Sequence, residues 1–171
     1  MKVYLIGYMG VGKSTVGKRL AQRMNYYFVD LDLQIEKTEN RTITELFEEE
    51  TEEKFREIER RILLDETHDK SVIATGGGAP CYKNNIDKML ESGVVVWLKM
   101  MPEILLSRLK DKKATRPLIE NLSEFELGDF IKKHLSEREP FYSKAHIHFD
   151  AKNMNQTKMD ELEREIINYS R

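Results

Sequence analysis

Short apolar runs and longer amphipathic stretches take turns along this chain. β-Branched and aromatic residues gather at Val3–Ile6, Tyr27–Val29, Val72–Ala74, Val94–Leu98 and Ile147–Phe149. Each run is strand-length and suits a pleated, buried surface. Between the runs, apolar positions return at helical spacing over residues 14–24, 43–66, 84–91, 102–110, 123–137 and 155–169. The second of these splits where acids cluster before Glu52. Strands and helices in this alternation predict an α/β fold of three layers, α/β/α, with a central five-stranded parallel sheet flanked by helices. No internal repeat or low-complexity linker interrupts the pattern. The acidic run Glu48–Glu53 reads as a solvated helix end, its carboxylates suited to a helix N-terminus.

Composition narrows the class. At 171 residues, 40% hydrophobic and 34% charged, the chain predicts one folded domain over residues 1–171, too apolar for disorder and too polar for a membrane protein. A formal net charge of -2 provides no field toward nucleic acid or an anionic membrane, so neither partner is expected and any anion must be held by local groups. The apolar start is stopped by Gly7 well short of a signal-peptide core, and Cys81 is the only cysteine. Both fit a cytoplasmic setting. Cys81 itself reads as a small packing residue. Among the four histidines only His146 and His148 are close, on one strand face without a third ligand, so no zinc site is expected.

The strongest chemical signal is Gly7-Tyr8-Met9-Gly10-Val11-Gly12-Lys13-Ser14, which has phosphate-loop spacing, with a predicted strand before it and a helix after it. Glycines let the backbone curl so that successive N–H groups and the helix N-terminus converge on phosphate oxygens. Lys13 then reaches the outer phosphates and the Ser14 hydroxyl serves Mg²⁺. Such a loop is shared by GTPases, ATPases, motors and kinases, so the rest of the chain must choose.

Asp30 and Asp32 follow the second predicted strand, at the sheet edge where open α/β folds bind ligands. Strand alternation puts both carboxylates on one side, one for the magnesium shell and one to orient or deprotonate a hydroxyl. A solvated strand-to-helix turn or an N-cap is the plainer alternative for such a pair. Over residues 51–66, Phe55, Ile58 and Ile62 face inward while Arg56, Glu59 and Arg60 share an adjacent face. Glu59 either forms an ordinary surface pair with Arg56 or fixes its guanidinium to grip a carboxylate. Gly76-Gly77-Gly78 directly after a strand suggests close approach of a ligand to the backbone. Residues 110–122, with Lys112, Lys113, Arg116 and Pro117, form a polar segment of the kind that closes over a nucleotide, where Arg116 could supply charge to the moving phosphoryl group. Arg138 lies just ahead of Pro140, where helical bonding is expected to fail.

Taken together, the phosphate loop GYMGVGKST, Asp30-Leu31-Asp32, Phe55-Arg56-Glu57-Ile58-Glu59, Gly76-Gly77-Gly78, Arg116-Pro117-Leu118 and Arg138-Glu139-Pro140-Phe141-Tyr142 resemble the motifs of the shikimate kinase family in order and spacing along nearly the whole chain. The resemblance implies a P-loop kinase that phosphorylates the 3-hydroxyl of shikimate with ATP and Mg²⁺, acting as a monomer, with a substrate-binding region at about 32–60 and a lid at about 110–122. It assigns ATP to Gly10, Val11, Gly12, Lys13, Ser14 and Thr15, with Lys13, Asp32 and Arg116 catalytic. By the same resemblance Asp32 orients the hydroxyls and is the base, and Asp30 reaches Mg²⁺ through water, with Ser14 the direct metal ligand. Arg56 and Arg138 hold the carboxylate, and Gly77 and Gly78 meet a hydroxyl. Arg116 bridges lid, substrate and phosphates. Arg108, or alternatively Lys110, would stack on the adenine. The proline that some members place on its opposite face is missing, since none follows Pro140.

Three rivals differ in what they require. Another small P-loop kinase, for gluconate or a nucleoside monophosphate, would reuse the arginines for a different anion. A GTP-binding switch is suggested by Thr157-Lys158-Met159-Asp160, but no Asp-x-x-Gly follows the phosphate loop to couple it to a moving segment. A catalytically silent binding module would need a catalytic residue to be missing, and none is.

Overall fold

A computed structural model describes residues 1–111 and 119–170. Its strands are β1 (Lys2–Ile6), β2 (Tyr27–Asp30), β3 (Ser71–Ala74), β4 (Gly93–Lys99) and β5 (Ile147–Asp150). They form one parallel sheet in the order β2-β3-β1-β4-β5. The helices are α1 (Lys13–Met24), α2 (Leu31–Glu39), α3 (Ile43–Glu49), α4 (Glu52–Asp65), α5 (Asn85–Ser92), α6 (Pro102–Leu109), α7 (Glu124–Tyr142) and α8 (Gln156–Tyr169). A 3₁₀ turn at Ala79–Cys81 follows the glycine run.

Period-two alternation builds the layers. Val3 and Leu5 of β1 join Val72, Val94 and Val96 in a core with α1, α7 and α8. Tyr4 and Ile6 point the other way, to Ile73, Val95 and Trp97 under α2, α4 and α5. Both faces of the sheet are therefore covered, which is why its central strands read as nearly continuous apolar runs. Gly17 on α1 packs tightly against the sheet. A Cβ there would sit 2.5 Å from Phe28 Cε2 and 3.3 Å from Leu5 Cδ1. Gly17→Ala is expected to destabilise the fold by about 1–3 kcal/mol through overpacking, read as a lower denaturation midpoint; an unchanged midpoint would contradict that packing.

Three comparisons with the sequence pattern matter for the site, two of them departures and one an agreement. First, Asp30 ends β2 and at once caps α2, whose first turn contains Asp32. The two carboxylates are thus brought together by a strand-to-helix junction rather than by strand alternation. This helix escaped notice because only Leu31 and Ile35 of its nine residues are buried, too few to mark a period.

Second, residues 43–66 do divide before Glu52. Thr42 and Glu45 form a capping box on α3, and the Thr51 hydroxyl accepts from Lys54 N on α4. Glu52 and Glu53 lie in the first turn of α4, where their charge suits the helix dipole.

Third, α7 continues through Pro140 to Tyr142 instead of stopping near residue 137. Proline in the final turn removes one backbone bond, and the turn survives because Tyr142 is buried, lies 5.7 Å from the Trp97 ring and donates its hydroxyl to Gly77 O at 2.6 Å.

Elsewhere, Cys81 is partly buried against the second core, where burial pushes its thiol up to about 11, in keeping with a packing role. His146 precedes β5 and accepts from Val95 N at 3.1 Å. No helix among the described residues is long and apolar enough to cross a membrane.

Candidate active site

The C-terminal ends of β1, β2 and β3 lie side by side in the sheet, so the phosphate loop, the Asp30–Asp32 junction and the glycine run share one edge. Thr75 fastens this edge, its N–H and its hydroxyl both donating to Leu5 O at 3.2 Å. The phosphate loop curls through Gly10 at φ 82° and Gly12 at φ 104°, left-handed geometry that favours glycine. Gly12 caps α1 without a side-chain bond, so the first-turn N–H groups remain directed at the loop. Lys13 Nζ donates to Gly7 O at 2.8 Å and Tyr8 O at 3.1 Å, lying across the loop where outer phosphates would sit.

Arg108 reaches from α6 and donates to Val11 O at 3.1 Å and Gly10 O at 3.3 Å. Its guanidinium therefore braces the loop while lining a cavity of about 580 Å³ with Gly12, Lys13, Ser14 and Thr15. Lys110 is exposed at the C-cap of that helix. Arg116, Lys112, Lys113 and Pro117 lie outside the described residues.

A second cavity, of about 430 Å³, adjoins the first. The two have Met9, Ser14, Asp30, Asp32 and Gly77 in common. Arg56, Glu59, Gly78 and Arg138 provide its charged and polar wall, while Leu33, Ile43, Phe47 and Phe55 provide an apolar one. Spacing alone did not reveal the apolar wall, because Leu33 sits on the unrecognised α2.

Glu59 is fully buried and accepts from Arg56 Nη1 at 2.7 Å. Burial opposes charge on Arg56, but Glu59 and then Glu52 together outweigh it and hold the guanidinium pKa above its ordinary value. Burial likewise pushes Glu59 up, against the pull of Arg56. The Arg56–Glu52 contact, at 3.4 Å with Glu52 mostly exposed, adds little by comparison. Breaking the buried pair is the costly event, about 3–5 kcal/mol.

Arg138, 6% exposed, stacks 5.5 Å from the Tyr8 ring. Among the described residues, two buried side-chain atoms have no hydrogen-bond partner, Arg138 Nη1 and Glu59 Oε1. Both belong to residues that line the second cavity, one a donor and the other an acceptor.

The glycine run makes room for these charges. A Cβ on Gly78 would stand 2.5 Å from Arg56 Cζ, one on Gly77 would stand 2.9 Å from Arg138 Nη1, and one on Gly76 would collide with the Glu59 carboxylate. Gly78→Ala is expected to displace Arg56 and raise the KM for a carboxylate acceptor by about tenfold, the loss of one charge-assisted contact. ATP KM should stay unchanged in the same kinetics; an unaltered acceptor KM would show that Arg56 takes no part.

The sequence motifs include Tyr8 and Tyr142 but assign no site role to their side chains, and they leave out His134. His134, Arg138 and Tyr142 are four residues apart and share one side of α7. That periodicity was hidden by ending the helix at 137. The tetrapeptide Thr157–Asp160 lies in the first turn of α8, with Met159 buried and Asp160 paired to Arg23, so its residues serve packing there.

A phosphate loop on the central strand of a β2-β3-β1-β4-β5 sheet, opening into a second cavity walled by arginines and carboxylates, defines a P-loop small-molecule kinase. Within that class the chain belongs to the shikimate kinase family, whose model, described as "Shikimate kinase", matches residues 9–169. A shikimate kinase of Parabacteroides distasonis is 47% identical over 154 residues, covering 90% of this chain and 89% of that protein. The crystal structure of shikimate kinase from Bacteroides thetaiotaomicron superposes with a TM-score of 0.89 at 37% identity, covering 98% of this chain and 97% of the other. Shikimate kinase from Acinetobacter baumannii, solved in complex with shikimate, gives 0.83 at 34% identity, covering 98% and 90%.

Proposed function

We propose that this chain transfers the terminal phosphoryl group of ATP to the 3-hydroxyl of shikimate, giving shikimate 3-phosphate and ADP on the route to chorismate. The observation that carries this reading is the meeting of two cavities at Ser14, Asp30 and Asp32, one lined by the phosphate loop and one walled by Arg56 and Arg138. Phosphoryl transfer needs positioning and charge neutralisation more than covalent help, and these are what such residues supply.

In this reading the loop N–H groups from Gly10 to Thr15 and the Lys13 ammonium hold the phosphates. Arg56, fixed by Glu59, and Arg138 grip the acceptor carboxylate, while the Gly77 and Gly78 backbone meets a ring hydroxyl. Asp32 aligns the reacting hydroxyl and takes its proton. The apolar wall of Phe47 and Phe55 packs against the ring and keeps water from competing for the phosphoryl group. A hydroxyl and two carboxylates around one junction suit a hard, oxygen-seeking cation, with Ser14 as direct ligand and Asp30 through water. Mg²⁺ bound there would neutralise charge on the phosphates. Arg116 would add charge from the lid, and Arg108 or Lys110 would stack on adenine. The proposed unit is one kinase domain over residues 1–171, acting as a cytoplasmic monomer without nucleic acid or membrane partner.

ADP release with Mg²⁺-ATP and a panel of shikimate, quinate, gluconate and nucleoside monophosphates tests the reading. Shikimate alone should stimulate release above the control without acceptor. Stimulation by another panel member in its place would keep the kinase class and discard the roles given to Arg56 and Arg138.

A further inference from the structure

Arg138 is buried but, among the described residues, is not paired with a carboxylate in the way Arg56 is paired with Glu59. Its Nη2 instead faces His134 Nε2 at 3.1 Å, one helical turn back on α7. A guanidinium can only donate, so Nε2 must be the acceptor and the imidazole is neutral with its proton on Nδ1. That proton points at the Tyr8 hydroxyl, 3.3 Å away. The Tyr8 and His134 rings meet edge-on at 5.9 Å, and Phe130 closes the other side of His134 at 4.7 Å. Arg138 thereby sets the tautomer of His134, and the Tyr8 hydroxyl of the phosphate loop receives the Nδ1 proton and holds the ring in place.

We infer that His134 is a positioning residue for Arg138, holding Nη2 through an uncharged acceptor so that the guanidinium stays at the wall of the second cavity with its full charge available to the acceptor carboxylate. This rests on the acceptor role proposed for Arg138.

The choice of imidazole has a chemical logic. A carboxylate at this position would neutralise Arg138 and compete with the substrate carboxylate, whereas an apolar residue would leave a second buried N–H unpaired beside the unpartnered Nη1. A neutral nitrogen acceptor orients without competing. Burial first, and then the neighbouring Arg138 and Arg56 charges, outweigh the pull of Glu137 and Glu52 and push His134 down to about 4, so it stays uncharged at neutral pH. Burial also pushes Tyr8 up to about 12, which keeps its hydroxyl protonated.

The test separates the two ring nitrogens. Glutamine places its amide oxygen near the position of Nε2 and asparagine near that of Nδ1, so His134→Gln can still receive Arg138 while His134→Asn reaches only toward Tyr8. Steady-state kinetics should show shikimate KM raised about tenfold in His134→Asn and in His134→Leu, the loss of one charge-assisted bond, with ATP KM unmoved. His134→Gln should return shikimate KM to within about threefold of the parent, on the same scale. Thermal midpoints measured alongside show whether each variant is folded. Equal KM values in the Gln and Asn variants, or parental values in all three, would overturn the inference. Arg138→Ala in the same series keeps the two readings apart. If that variant retains parental shikimate KM, the acceptor role of Arg138 fails. If it loses shikimate while the His134 variants do not, only the role of His134 fails.

Discussion

Asp32→Asn should lower kcat by on the order of 10²–10⁴, the range for removing a positioned proton acceptor, while ATP binding stays near that of the parent. Asparagine keeps the shape of the side chain in the first turn of α2 and keeps one oxygen to accept from a hydroxyl. It loses the negative charge and the site for the departing proton. Asp32 borders both cavities, and in the proposed reading its carboxylate stands where acceptor hydroxyl and terminal phosphate meet. Single-turnover rates with saturating ATP, together with an ATP titration, separate chemistry from binding. A variant that keeps most of its single-turnover rate would remove Asp32 from the base role and leave it only an orienting one.

Arg138→Ala carries the second large effect. In the proposed reading Arg138 gives the acceptor carboxylate two charge-assisted hydrogen bonds, each about 1.5–3 kcal/mol, so kcat/KM for shikimate should fall by on the order of 10²–10⁴. Most of the loss should appear in KM, since the carboxylate is remote from the reacting hydroxyl. A comparison substrate sharpens the test: the carboxamide analogue of shikimate lacks the anion, and the parent should discriminate strongly against it. In Arg138→Ala that discrimination should shrink toward the part supplied by Arg56. If the variant discriminates as well as the parent, Arg138 does not read the carboxylate.

How much of this was legible in the sequence follows from how each feature is encoded. The sheet was readable because buried parallel strands such as Val94–Leu98 are short, continuous apolar runs with few competing interpretations. The phosphate loop was readable because its glycines are demanded by backbone geometry at Gly10 and Gly12 rather than by packing. The Arg56–Glu59 pair showed as a helical spacing of three, but its weight depends on burial, which spacing does not carry.

Helix α2 was missed because Leu31 and Ile35 alone face the core. The end of α7 was misplaced because a local rule about proline was overridden by the tertiary anchor of Tyr142 on Gly77 and Trp97. That single override hid the His134–Arg138–Tyr142 ladder. The glycine run was legible as room for a ligand; what spacing did not carry is that a Cβ at each of its positions would also meet the protein's own Glu59, Arg138 or Arg56, a close approach between segments distant in sequence.

The most direct measurement of the central claim is the chemical identity of the product. ³¹P NMR of a reaction containing the protein, Mg²⁺-ATP and shikimate should show the β- and α-phosphorus signals of ADP and one new phosphomonoester resonance, coupled to the ring proton on the carbon bearing the 3-hydroxyl. A spectrum that gains only inorganic phosphate, or an ester coupled to a different ring position, would contradict the proposed roles of Asp32 at that hydroxyl and of the two arginines at the carboxylate.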